Sequence, residues 1–309
     1  MKGKLGILCG GSGSSKFVRP ISRYSIDIGF TDLQFVANVA DNFWHHGLFV
    51  CPDIDILTYA LTRNLDTSKG WGVENDKFLV FQKLSDFQKN KEWFNLGDKD
   101  LALSLKRTEL LGKGWTLSSV TQYICDGGNS SYSVIPATDD SLQTFVRTFQ
   151  GWMHLQEYWV KNRGELEALQ IEFAGLSNAR PNAWALEACS NNVIICPANP
   201  ISSILPIVQL KGFSRQLSKS KVVAVSPFLG DKPFSGPAAK LLAAFGLQAS
   251  SYAVAKLYSK FLDIFFVDTQ ENIETVKRIQ DLGIECVKTN IRMEAQCEES
   301  IAKEILSAF

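Results

Sequence analysis

Leu5-Gly6-Ile7-Leu8-Cys9-Gly10-Gly11-Ser12-Gly13-Ser14-Ser15-Lys16, followed by Phe17-Val18-Arg19, is the stretch on which the fold turns. An apolar run of strand length stops at glycines and passes into a helix. Strand, glycine turn, then helix makes a phosphate cradle. Glycines let main-chain amides approach an anion, and a helix start presents unpaired N–H groups at the positive end of its dipole. The dinucleotide fingerprint needs a third glycine where Lys16 stands, and the P-loop needs Gly and Lys adjacent, whereas two serines separate Gly13 from Lys16. The loop is therefore read as a phosphate site of neither kind, built from Gly10, Gly11, Ser12, Gly13, Ser14 and Lys16, the bland alternative being a structural glycine turn.

Asn192 to Cys196 and Lys221 to Ser226 are read as further short, fully buried strands ending in small or turn-forming residues, and Ile264 to Asp268 is a late one. Stretches of helical period lie between and after them at Ile201 to Leu210, Ala238 to Phe245 and Ile273 to Leu282, with a last helix from Glu294 to Phe309. This alternation predicts an α/β fold with a mainly parallel open sheet and helices on both faces. Residues 68–163, rich in tryptophan, phenylalanine and helical spacing, are read as a mainly helical insertion into a core of 1–67 and 164–309. Trp71 to Asp76 and Phe94 to Asp100 alternate aromatic and acidic residues, which suits a lid over a cleft or plain helix packing.

The chain has 309 residues, room for one large or two joined domains at about 150 residues each. Hydrophobic residues at 45% and charged residues at 21% argue against disorder and coiled coil. Lysine plus arginine and aspartate plus glutamate are 32 each, so no whole-molecule field draws the chain to nucleic acid or acidic lipid. No apolar run reaches the roughly 18 residues of a membrane span, and the first strand is too short for an export signal. A cytoplasmic protein is expected. Seven scattered cysteines without a CxxC pair fit reduced thiols.

Cys51-Pro52-Asp53-Ile54-Asp55 places two carboxylates two residues apart. On an extended segment they share a face and suit a hard divalent cation such as magnesium, or one of them takes a proton from an attacking hydroxyl; alternatively Asp53 caps the helix from Ile54 to Leu61. The loops Ala198 to Ser203, Ser226 to Asp231 and Ser235 to Lys240 follow strands or break helices, and such loops rim the ligand crevice of an open α/β sheet. No HExxH or other zinc spacing and no GxSxG elbow occurs. His154 is read as a packed or surface helix residue, and His45 and His46 as lining an entrance.

Taken in order, these motifs resemble the 2-phospho-L-lactate transferase family of coenzyme F-420 biosynthesis. The blocks are the loop at 10–16, Asn38-Val39-Ala40-Asp41-Asn42, Pro52 to Asp55, Trp71 to Asp76 and Leu96-Gly97-Asp98-Lys99-Asp100. After them come Ile135 to Asp140, Gln156 to Trp159 with Arg163-Gly164, Asn199 to Ile204, Val225 to Pro227 and Ser235 to Lys240, so the likeness spans nearly the whole chain. The resemblance implies a Rossmann-like three-layer αβα sandwich. It implies a homodimeric transferase moving a phosphorylated three-carbon acid, lactyl or enolpyruvyl, from a guanosine-diphosphate-linked donor to the deazaflavin Fo, with release of GMP. It further implies that Asn199, Pro200, Ser202, Ser235 and Gly236 join the glycine loop around the nucleotide, and that Asp55 and Lys99 contact Fo. The family loop usually carries threonine and then proline where Ser14 and Ser15 stand here, which replaces a fixed backbone by a freer one.

Displacement at phosphorus is catalysed mainly by positioning and charge neutralisation. Magnesium held by Asp53 or Asp55 would bridge the diphosphate, and the same residues would orient the hydroxyl, base and ligand roles not being assigned between them. Trp71 and Phe94 would cover the deazaflavin and exclude water. The competing readings are a non-catalytic nucleotide- or nucleotide-sugar-binding regulator of the same superfamily and a nicotinamide dehydrogenase, the missing third glycine counting against the latter.

Overall fold

Alternate residues of a strand face opposite sides of its sheet. Leu5, Ile7 and Cys9 lie on one side of the first strand and Leu8 on the other, and all four are fully buried, so both faces of the sheet are covered. The computed structural model describes residues 2–62, 64–67, 69–87, 92–128, 132–230, 232–233, 236–292 and 298–309. The strands are β1 (Gly3–Cys9), β2 (Phe30–Ala37), β3 (Phe43–His45), β4 (Leu48–Val50), β5 (Ser133–Pro136), β6 (Gln143–Thr148) and β7 (Gly151–His154). They continue with β8 (Gln170–Ala174), β9 (Asn192–Ile195), β10 (Lys221–Val225), β11 (Phe228–Leu229), β12 (Lys232–Pro233), β13 (Ile264–Asp268) and β14 (Glu285–Thr289).

Seven of these form one sheet in the order β14-β13-β10-β9-β1-β2-β5, and every pairing is parallel. The predicted α/β fold is what the chain adopts. From β1 the chain builds outward through β2 to β5, then returns to the other side of β1 with β9 and continues to β14. The order therefore reverses at β1, and the crevice beyond the carboxyl ends of β1 and β9 is where such sheets bind ligands. Cys9 and Cys196 sit at that point as free thiols, their sulfurs in hydrogen-bond contact at 3.6 Å.

The helices are α1 (Gly11–Tyr24), α2 (Pro52–Leu61), α3 (Leu79–Phe87), α4 (Asp98–Gly112), α5 (Leu117–Gly127), α6 (Ala183–Ala188) and α7 (Leu205–Gln209). After them come α8 (Phe213–Leu217), α9 (Ala238–Ala244), α10 (Ser251–Tyr258), α11 (Ile273–Gln280) and α12 (Glu298–Ser307). The predicted start of the last helix at Glu294 lies outside the described residues. The period read over Ile201 to Leu210 resolves into a π-helical turn, Pro200–Ile204, running into α7.

Within 68–163 lie the helices α3, α4 and α5, but the helical reading fails beyond them, where strands follow. Ser133–Pro136 is the edge strand of the main sheet, and β6 forms an antiparallel sheet with β7 and β8. Ser-Val-Ile-Pro is too short to announce itself, and β6 alternates buried and partly exposed residues. His154 accordingly ends a strand rather than sitting in a helix. No helix among the described residues is long and apolar enough to cross a membrane.

Candidate active site

A cavity of about 700 Å³ opens at the strand-order reversal. It is lined by the glycine loop, Gly10 to Gly13, with Ser203 against Gly10 and Asn199, Ser202 and Gly236 also on the lining. Trp71, Trp93, Phe94 and Trp159 are the aromatic residues of its walls, and Asp41, Asp53, Asp55 and Asp100 also border the space.

Helix α1 begins inside the glycine loop, so the loop's amides are the first-turn N–H groups that helical carbonyls cannot accept. Gly10 stands in extended backbone (φ −174°), which any residue adopts. Glycine is required there for space, since a Cβ would lie 2.5 Å from Ser203 Cβ and 2.8 Å from Asp53 Oδ2. The Ser14 hydroxyl donates to Gly10 O at 2.8 Å and accepts Gly10 N–H at 2.9 Å, which clamps that peptide. The Ser15 hydroxyl donates to Gly70 O at 2.8 Å, a tie no proline could make, joining the loop to the segment carrying Trp71. Asn199 Oδ1 accepts the N–H groups of Ile201 and Ser202 at the opposite loop, and its Nδ2 is a buried donor without a protein partner.

Asp53 and Asp55 occupy the first turn of α2, not an extended segment. Two residues apart on a helix, at about 100° per residue, they point in different directions. Asp53 turns to the glycine loop, where it accepts Gly11 N–H, and Asn38 Nδ2 donates to it at 2.8 Å. The same Asn38 amide donates to Asp41 Oδ1 at 3.2 Å and so bridges two buried carboxylates. Burial pushes Asp53 up to about 6 against the pull of Asn38 and Gly11, and burial with the Asp53 charge pushes Asp41 well above the carboxylate range. Asp53 is no helix cap, since position Cys51 precedes the helix without a side-chain cap. Asp55 turns instead to fully buried Arg107 on α4, which binds both its carboxylate oxygens. Asp100 is pushed up to about 6 by burial, the Tyr59 phenol pulling the other way.

The 2-phospho-L-lactate transferase CofD family model matches residues 6–306. The chain belongs to the CofD family. A 2-phospho-L-lactate transferase of Methanosarcina acetivorans is 36% identical over 87% of this chain and 87% of its own. A phosphoenolpyruvate transferase of Streptomyces avermitilis is 33% identical over 97% of this chain and 96% of its own. A solved protein of Bacillus halodurans, described as a member of the upf0052 family, matches with a TM-score of 0.65 over 99% of this chain and 100% of that one. At 16% identity it supports the fold alone. As a CofD transferase, the chain is an enzyme.

In this CofD chain the cavity gathers Gly10, Gly11, Ser12, Gly13, Asp53, Asp55, Asn199, Ser202 and Gly236 from the residues singled out in the sequence. Ser14 clamps Gly10 and Pro200 opens the π-helical turn after Asn199, and neither borders the cavity. Lys16 is exposed with its stem beside Gly70, and Lys99 is exposed with Nζ donating to Glu74 O at 2.9 Å; neither borders the cavity. Ser235 lies outside the described residues. Trp71 and Phe94 do line the cavity, as a cover for a flat ring would. Sequence reading assigned no task to Asp41, Asp100, Arg107 or Arg163, although three of the four fall in or beside the quoted family blocks. Arg163 borders the cavity from a turn whose next residue, Gly164 (φ 58°), packs so closely on Trp159 that a Cβ would come within 2.7 Å of the indole.

Proposed function

We propose that this CofD-family enzyme transfers a phosphorylated three-carbon acid from a guanosine-diphosphate-linked donor to a hydroxyl of the deazaflavin Fo and releases GMP. The observation that carries the reading is that one cavity is lined by the glycine loop, by aromatic residues, and by buried carboxylates that include two bridged by Asn38.

The loop amides and the unpartnered Asn199 Nδ2 are donors for the diphosphate, with Ser202 and Gly236 beside them. Arg163 supplies positive charge at the cavity for the donor's acidic groups. Trp71, Trp93 and Phe94 offer flat faces for the deazaflavin and exclude water that would hydrolyse the donor.

Asp53 sits against the very amides that would bind phosphate, an arrangement that repels an anion unless positive charge intervenes. Arg107 cannot supply that charge because Asp55 holds it. Hard carboxylate oxygens from Asp41 and Asp53 fit magnesium, and burial holds both carboxyls above their ordinary range. These two residues would hold the ion, and Asp55, both oxygens on Arg107, would shape the acceptor side. When bound, magnesium would offset charge on the transferring phosphate. Asp100, pushed up to about 6 by burial and not engaged by the ion, is the cavity carboxyl suited to receive the acceptor's proton near neutrality.

The test mixes the enzyme with Fo, magnesium and the guanylylated phospholactate, phosphoenolpyruvate or phosphoglycerate donor in parallel. A more acidic deazaflavin product forming with stoichiometric GMP supports the reading, and the preferred donor names the acid. Binding of guanine nucleotide without transfer from any donor would overturn it in favour of a binding protein.

A further inference from the structure

We propose that His45, His46 and Glu92 form a second metal site, separate from the phosphate crevice, that takes a zinc-class divalent ion. Adjacent residues of a strand normally point to opposite faces. Here the two-residue turn His46-Gly47 joining β3 to β4 has positive φ at both positions, 49° and 74°. The left-handed backbone of His46 brings its ring to 4.4 Å from that of His45, centroid to centroid. Glycine or asparagine would fill this turn with less strain, so the histidine is placed where the turn alone does not require it.

Glu92 reaches both rings. Its Oε2 lies 3.0 Å from His46 Nε2 and 3.7 Å from His45 Nε2, and the three ligand atoms all fall within 4.8 Å of one another. Metal–ligand bonds of about 2.1 Å in a tetrahedron separate neighbouring donors by about 3.4 Å, so the spacing needs little adjustment. Glu92 Oε1 is buried and has no hydrogen-bond partner, although the side chain is only 4% exposed. A buried carboxylate oxygen left unsatisfied is costly, and a cation satisfies it. Two imidazoles and one carboxylate are a zinc-type donor set rather than a magnesium one, and the partly exposed His46 leaves a side open for water as fourth ligand. Before binding, His45 Nε2 pairs with Phe94 O at 3.1 Å; ligation through that atom requires the neutral ring with its proton on Nδ1.

The site has a mechanical consequence. Glu92 directly precedes the cavity wall Trp93 to Leu96, and the hairpin and wall share a small separate core of Phe43, Val50, Phe81 and Leu96 with Trp93, Phe94 and Leu101 packed against it. An ion would pin the wall to the hairpin beside that aromatic cluster. The three ligands stand whichever group the enzyme transfers.

Chelator-treated protein, saturated with magnesium to fill hard-oxygen sites, is titrated with Co²⁺ and then Zn²⁺. One equivalent of Co²⁺ should give the intense visible bands of a four- or five-coordinate site, and Zn²⁺ should displace it. His46→Asn, which keeps a residue tolerant of left-handed backbone, and Glu92→Gln should each weaken binding at least tenfold, while Asp53→Asn leaves it unchanged. A pale octahedral spectrum, equal affinity in all variants, or loss in Asp53→Asn would overturn the proposal.

Discussion

Arg107 holds Asp55 from α4 to the first turn of α2, with Nη1 3.1 Å from Oδ2 and Nη2 on Oδ1. The guanidinium also donates to Phe49 O at 3.3 Å, so one side chain ties α4, α2 and the β3–β4 hairpin together. Burial still raises the Asp55 carboxyl more than Arg107 lowers it, and the pair is therefore weak evidence for stability in itself. Its importance lies in what breaking it leaves behind.

Arg107→Met should thus destabilise the fold by about 3–5 kcal/mol, the usual result of stranding one buried charge. Pairing it with Asp55→Leu removes the stranded charge and should recover most of that loss. Urea denaturation midpoints at constant m-value check this. An equally unstable double variant would mean that the packing of the guanidinium stem matters more than its charge.

The carboxyl pair under the glycine loop predicts a pH dependence. Asp53 is near 3.8 when unfolded and about 6 when folded. A carboxyl raised by folding favours the folded state fully below its unfolded value and loses that contribution as pH rises through the folded one. Without magnesium, Asp53→Asn should therefore be more stable than the parent by about 1–3 kcal/mol near pH 8, the gain vanishing near pH 4. Magnesium should raise the parent's melting temperature near pH 8 far more than near pH 5, and should not do so in the variant. A pH-independent gain would show that burial of the group, not its charge, decides the effect.

Ser15 offers a test of the glycine loop's stiffness. Its hydroxyl reaches Gly70 O, next to Trp71 on the cavity wall. Ser15→Ala removes a bond worth about 1 kcal/mol, which should raise KM for the deazaflavin roughly fivefold with kcat little changed. A fall in kcat with constant KM would place Ser15's influence on the phosphate side instead.

How much of this was legible depends on whether a residue's role is local. Leu5 to Cys9, Asn192 to Cys196 and Lys221 to Ser226 declare themselves because central parallel strands are apolar on both faces. The strand Phe30–Ala37 carries Thr31, Asp32 and Gln34 at its solvent end, and Glu285–Thr289 is an edge with Glu285 and Lys288 exposed, so neither stands out. In the site, the glycine loop and the aspartates are visible as motifs. Lys106 and Arg107 are neighbours of like charge on one helix, and only the packing decides that Lys106 meets solvent while Arg107 is fully buried. Asp41 gains its meaning from Asn38 and from Asp53, twelve residues further along, a relationship that exists only once the chain is folded.

Gly10 makes the sharpest claim about the phosphate crevice, because its backbone is unstrained and only its missing side chain matters. In Gly10→Ala the new methyl meets Ser203 Cβ and Asp53 Oδ2, both on well-buried side chains, so the loop must move away from the facing wall. Guanosine diphosphate affinity should fall at least about tenfold, the effect of misplacing amides that act only through alignment. Ser203→Gly deletes the nearer clash and should recover part of the affinity in the double variant, giving a coupling of about 1 kcal/mol in a double-mutant cycle. Calorimetric titration with the nucleotide in magnesium measures all four corners of the cycle. Unchanged affinity in Gly10→Ala would show that the diphosphate does not rest on this loop, and additive effects would show that the loop and the Asn199–Ser203 wall do not grip one ligand together.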